Sequence, residues 1–184
     1  MMQFAEDVKA YSRYAAEFDA PIRCELLYGD AREAVSKITG KYRCALSFPR
    51  QYDVHRGLNR FDPVVDALQY YAPDGTRDPV HAVLDLTTEL QAAYHRDALS
   101  AASKILWFLW GRDILVYDKR TLVALQQRYP KLPPKDYREY CYAWIALFTE
   151  YADSIAETCA KLGAPNERSF HERVFDWHLW RSRK

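Results

Sequence analysis

Glycine is scarce in this sequence, six in 184 residues, and no low-complexity run occurs. A disordered chain is not indicated, and the aromatic share of 15%, with fourteen tyrosines and five tryptophans, points instead to a packed globule with some exposed aromatic surface. The four cysteines, Cys24, Cys44, Cys141 and Cys159, show no C-x-x-C spacing, and no histidines pair at metal-ligand distance. Zinc and redox motifs are thereby excluded, no metal or cofactor is expected, and the cysteines read as small buried apolar residues. No hydrophobic run approaches the length of a membrane span, and residues 1–18 mix Glu6, Asp7, Lys9 and Arg13 with their apolar residues, unlike a signal peptide. The expectation is a cytoplasmic protein with no membrane partner.

A large charge excess is also missing. The formal net charge is +1, which argues against a surface coated for nucleic acid. The distribution says more: residues 1–93 carry 11 Lys/Arg against 14 Asp/Glu, residues 94–140 carry 9 against 5, and residues 141–184 carry 6 of each. Positive charge is concentrated in the middle stretch.

That stretch contains Ser100 to Leu125, SAASKILWFLWGRDILVYDKRTLVAL, the most apolar part of the chain. Ser100 reads as an N-cap, and Ala101, Ala102, Ile105, Leu106, Phe108 and Leu109 make a helix apolar almost all round, as a core helix is. It carries one lysine, Lys104. Gly111 reads as the helix end, Ile114 to Tyr117 as a short extended crossing, and Asp118 as the N-cap of a second helix with Leu122, Val123 and Leu125.

The rest reads as helices joined by short turns. Phe4 to Phe18 has helical spacing and stops at Asp19-Ala20-Pro21. Ile22 to Leu26 alternates like a strand, whereas Asp30 caps a helix running to Ile38. Tyr42 to Phe48 fits either a strand or a buried helix, and Pro49 to Asn59 a loop. Asp62-Pro63 and Asp78-Pro79 are two cap-and-proline signals, opening helices over Pro63 to Tyr71 and Pro79 to about Arg96. Pro130, Pro133 and Pro134 make a linker. Asp136 with Glu139 starts the longest helix, whose stripe from Tyr137 to Leu162 ends at Gly163, and Ser169 to Arg181 is the last helix. The expected fold is all-α, a single compact domain over residues 1–184.

The pattern Ser103-Lys104-x-Leu106-x-Phe108, a short turn, then Tyr117-Asp118-x-Arg120 with Leu125 behind it resembles the helix-hairpin-helix DNA glycosylases, in particular the small bacterial 8-oxoguanine-glycosylase-like branch. The resemblance implies a base-excision enzyme, a glycosylase with or without AP lyase activity, with DNA, duplex or single-stranded, as partner. It also implies that Lys104 is the nucleophile and Asp118 the catalytic carboxylate, and the two side chains are expected to open into one cleft. The family's glycine-rich hairpin is absent, and Asp97-Ala98-Leu99-Ser100-Ala101-Ala102 stands in its place.

The chemistry suits these residue types. A lysine amine attacks only in its neutral form, which burial and the positive end of a helix both favour, and a carboxylate stabilises positive charge developing on the sugar. A flipped base must be held between aromatic or apolar faces, for which Trp107, Trp110, Trp177 and Trp180 are candidates. Lys119, Arg120, Arg128 and Lys131, from the positive stretch, are candidates for the DNA backbone. A rival rests on Arg173 and His178, whose R-x4-H spacing resembles the HEPN ribonucleases, all-helical dimers that cut RNA. A third reading keeps the glycosylase-like fold as a module that binds DNA or protein without cutting.

Overall fold

The computed structural model describes residues 3–49, 59–73 and 75–182. They form an all-α structure, with no strand among the described residues. No helix among them is long and apolar enough to cross a membrane. Residues expected to form one domain group into two compact units, 19–116 and a second made of 1–18 with 117–184.

The contiguous unit holds α2 (Ala20–Tyr28), α3 (Ala31–Lys41), α4 (Asp62–Leu68), α5 (Pro79–Tyr94) and α6 (Leu99–Trp110). α6 packs against α2, α3 and α5. Its Ala101, Ala102, Ile105, Leu106 and Phe108 are fully buried, as the apolar run requires. Two side chains tie down its C-terminal end. Trp110 donates from Nε1 to the Tyr71 carbonyl at 2.7 Å, and Arg23 donates from Nη2 to the Trp110 carbonyl at 3.1 Å, answering an acceptor that the helix leaves unpaired.

Gly111 then takes the left-handed conformation, φ 71°, and the Arg23 guanidinium lies over it. A Cβ at residue 111 would stand 1.3 Å from Arg23 Nη1. Gly111→Ala is therefore expected to combine the roughly 1–2 kcal/mol of left-handed strain with loss of the Arg23 hydrogen bond, about 2–4 kcal/mol in all. Urea unfolding measures it, and Arg23→Ala alone should show only the smaller, hydrogen-bond part.

The second unit holds α1 (Ala5–Tyr14), α7 (Lys119–Arg128), α8 (Tyr137–Leu162) and α9 (Arg168–Arg181). α8 packs against α1, α7 and α9. Trp144, Phe148 and Tyr151 of α8 meet Phe175 of α9 ring to ring. Asp136 caps α8 by accepting from the Glu139 N–H, and Gly163 ends it at φ 63°.

Buried in the same unit is His171, whose Nε2 meets no hydrogen-bond partner and whose ring burial holds below the usual imidazole value. The folded ring stays neutral where the unfolded chain takes up a proton, at about pH 6.5. Stability is expected to be full above that pH and to fall as pH drops through the folded-state value, by at most about 1.4 kcal/mol per pH unit from this group. Comparing unfolding free energies of the parent and His171→Gln across this range should show a shallower acid limb in the variant.

Several sequence expectations are corrected. Pro21 does not stop the first helix, because a proline in an initial turn gives up an N–H that has no helical partner. A π-helical turn over Ala15–Asp19 leads instead into α2, with Pro21 in its first turn. Ile22 to Leu26 is helical rather than extended. Ile22 and Leu26 are buried at i, i+4 spacing, and Cys24 between them is exposed, contrary to its reading as a core residue. The strand-or-helix stretch 42–48 contains only a 3₁₀ turn, Ala45–Ser47. α6 starts at Leu99 rather than behind a Ser100 cap, with the Leu99 N–H donating to Asp97 Oδ1. Most of the expected 49–59 loop lies outside the described residues.

Candidate functional site

Lys104 is the sixth residue of α6 and only 3% exposed. Its amine is held within the contiguous unit, where Nζ donates to the Tyr42 carbonyl at 2.9 Å and to Ser100 Oγ at 3.0 Å. Ser100 reaches it because residues four apart share a helix face. Its hydroxyl thus serves the lysine rather than the helix cap. Tyr42 gives only its carbonyl to this contact, a role no side-chain pattern announces. Its ring meets Phe108 edge-on, 5.3 Å between centroids, and its hydroxyl donates to Asp19.

Asp118 belongs to the other unit, as the N-cap of α7, and accepts from the Arg120 N–H at 2.8 Å. It lies close enough to Tyr140 to act on that phenol. Tyr140 is pushed well above its ordinary value, by burial first, then by the Asp176 carboxylate, with Asp118 among the smaller causes. Both carboxylates disfavour the tyrosinate.

The aromatic candidates divide between the units. Trp107 and Trp110 are half-buried on α6, with the Trp110 indole committed to the Tyr71 carbonyl. Trp177 and Trp180 stand together on α9, 5.8 Å apart, with Trp177 against Tyr14 and the Arg120 guanidinium 4.5 Å over Trp180. Arg120 is thereby a stacked cation, worth about 0.5–1 kcal/mol at an exposed site. Lys119 is exposed. Arg128 and Lys131 are exposed too, and they line a surface hollow of about 650 Å³ where the chain turns from α7 into α8.

The residues of the ribonuclease reading are engaged inside the second unit. Arg173 is 7% exposed and donates from Nη1 to Asp176 Oδ2 at 2.6 Å. His178 donates from Nδ1 to Asp7 at 2.8 Å, and Arg181 donates to the same carboxylate at 3.2 Å. Both members of the R-x4-H pair thus hold carboxylates that join structural elements. Among the described residues, no group of three or more His, Cys, Asp or Glu side chains is placed to hold a metal ion.

Sequence reasoning missed Tyr142, which is 68% exposed beside the hollow. The signal was present: Tyr142 stands off the buried stripe that Tyr137, Tyr140, Trp144 and Leu147 make along α8. Compared with protein-family models, curated proteins and solved structures, the chain matches none.

Proposed function

We propose that the chain is a DNA glycosylase with AP lyase activity, of the helix-hairpin-helix kind, in which Lys104 is the nucleophile and Asp118 the catalytic carboxylate. What best supports this reading is the setting of the Lys104 amine, shielded from solvent at the middle of an apolar helix, where it donates to a carbonyl and a hydroxyl. In the reaction, the amine bonds to C1′ of the sugar as the base leaves with the bonding electrons and is protonated. Opening of the sugar ring and loss of the remaining amine protons give an imine. Abstraction of a C2′ proton then expels the 3′ phosphate. Attack requires the amine to exchange Tyr42 and Ser100 for the sugar, so DNA binding must uncover the middle of α6.

The same burial favours a second reading, a module that binds DNA without cutting it and uses Lys104 to fasten α6 to the Tyr42 backbone. Incubation with oligonucleotides carrying abasic sites and a panel of base lesions, followed by borohydride, separates the two. A covalent adduct supports the enzyme; binding without any adduct supports the module.

A further inference from the structure

The hollow where α7 turns into α8 has a composition that the lysine chemistry does not use. Leu132, Pro133, Ala143 and Ala146 give it an apolar lining, and Tyr142 and Tyr129 bring phenol rings to it. Its volume of about 650 Å³ falls within the roughly 300–1,000 Å³ of small-ligand sites. Arg128 and Lys131 stand on the lining as exposed cations, and Lys135 and Arg138 follow in the next turns of chain. Arg128 reaches Glu150 at only 3.9 Å, with both side chains about half or more exposed, so the guanidinium can turn to another anion at little cost. Glu139, also on the lining, repels negative charge from its own side. A ligand that fits must carry a flat apolar face for the tyrosine side and anionic groups for the Arg128 and Lys131 side.

We propose that this hollow binds an unpaired nucleotide of single-stranded DNA, with the base on Tyr142 and the flanking phosphates on Arg128 and Lys131. A duplex satisfies the cations equally well but keeps its base faces stacked and away from the phenol; an unpaired strand uses both. The inference rests on the reading of the chain as a DNA-acting protein and adds to it a preference for unpaired strand, carried by residues other than Lys104.

The test is fluorescence anisotropy of a labelled oligothymidine and of a labelled duplex, with the full chain. Tyr142→Ala is expected to weaken the oligothymidine complex by about tenfold or more, with Tyr142→Phe close to the parent, and to leave the duplex complex little changed. Because Tyr142 is exposed, the fold survives its loss. Charge removal at Arg128 and Lys131 together should lower the salt slope for the single strand by about 1.4, two phosphates at about 0.7 each. Oligothymidine affinity unchanged in Tyr142→Ala, or equal weakening of both complexes, overturns the proposal even if borohydride traps an adduct at Lys104. Tyr142-dependent single-strand binding without any adduct upholds it while the glycosylase reading fails.

Discussion

With an abasic-site oligonucleotide and borohydride, the Lys104→Gln variant is expected to give no covalent adduct where the parent protein gives one. Only an amine can form the imine that borohydride reduces, and an amide in its place removes the reaction rather than slowing it. Lys104 is also a packed residue that donates to Tyr42 and Ser100, so circular dichroism and a urea titration must accompany the assay. A folded variant without adduct assigns the nucleophile; an adduct that persists assigns it elsewhere. Asp118→Asn is the companion, expected to lower turnover by about 10²-fold or more, the usual contribution of a positioned acid or base. Asparagine caps a helix about as well as aspartate, so this variant keeps the bond to the Arg120 N–H and removes only the charge. Asp118→Ala would lose about 1 kcal/mol of cap as well and confuse the two effects.

The largest loss of stability is expected from Asp176→Ala. Arg173 and Asp176 are both over nine-tenths buried and form a 2.6 Å ion pair one helical turn apart, and Thr121 donates its hydroxyl to the same carboxylate at 3.2 Å. Removing the carboxylate takes from a buried guanidinium an ionic partner at 2.6 Å, a loss of about 3–5 kcal/mol. Replacing both residues together, Arg173→Met with Asp176→Leu, should recover most of that, since a buried ion pair exchanged for apolar side chains of similar volume is often neutral. Chemical denaturation of the single and double variants measures the difference. If Asp176→Ala unfolds at the parent's urea midpoint, the pair is not holding α9 in place, and the ribonuclease reading of Arg173 gains ground.

Several helix ends were legible in the sequence because their chemistry is local, although the caps expected at Ser100 and Asp62 are not used, α4 starting at Asp62 itself. Asp30, Asp78, Asp118 and Asp136 each cap a helix through an N–H two or three residues on, and Gly111 and Gly163 end theirs at positive φ. The apolar run of α6 likewise announced a buried helix. Segments whose pattern fits two periods also failed. Ile22 and Leu26 satisfy both alternation and an i, i+4 face over five residues, and only packing against α3 and α6 decides between them. The setting of Lys104 was out of reach for a different reason. Its acceptor is a main-chain carbonyl 62 positions earlier, and every residue has a carbonyl. Tyr142 was overlooked because an aromatic on a long helix reads first as core, and only its register against the buried stripe marks it as exposed.

The second unit draws α1 from the front of the chain and α7, α8 and α9 from its end, with Asp7 receiving His178 and Arg181 across 171 and 174 positions. During synthesis this order makes α1 wait. Residues 19–116 can collapse as they emerge, but Phe4, Val8 and Tyr11 have no α8 or α9 to cover them until residues 137–181 have been made. At about 5–20 residues per second that interval is on the order of ten seconds or more, during which an amphipathic helix stays exposed to anything that binds apolar surface. The ribosome therefore delivers α1 long before the helices that cover it, and the nascent chain passes through a stage at which Phe4, Val8 and Tyr11 are without the α8 and α9 surfaces they pack on.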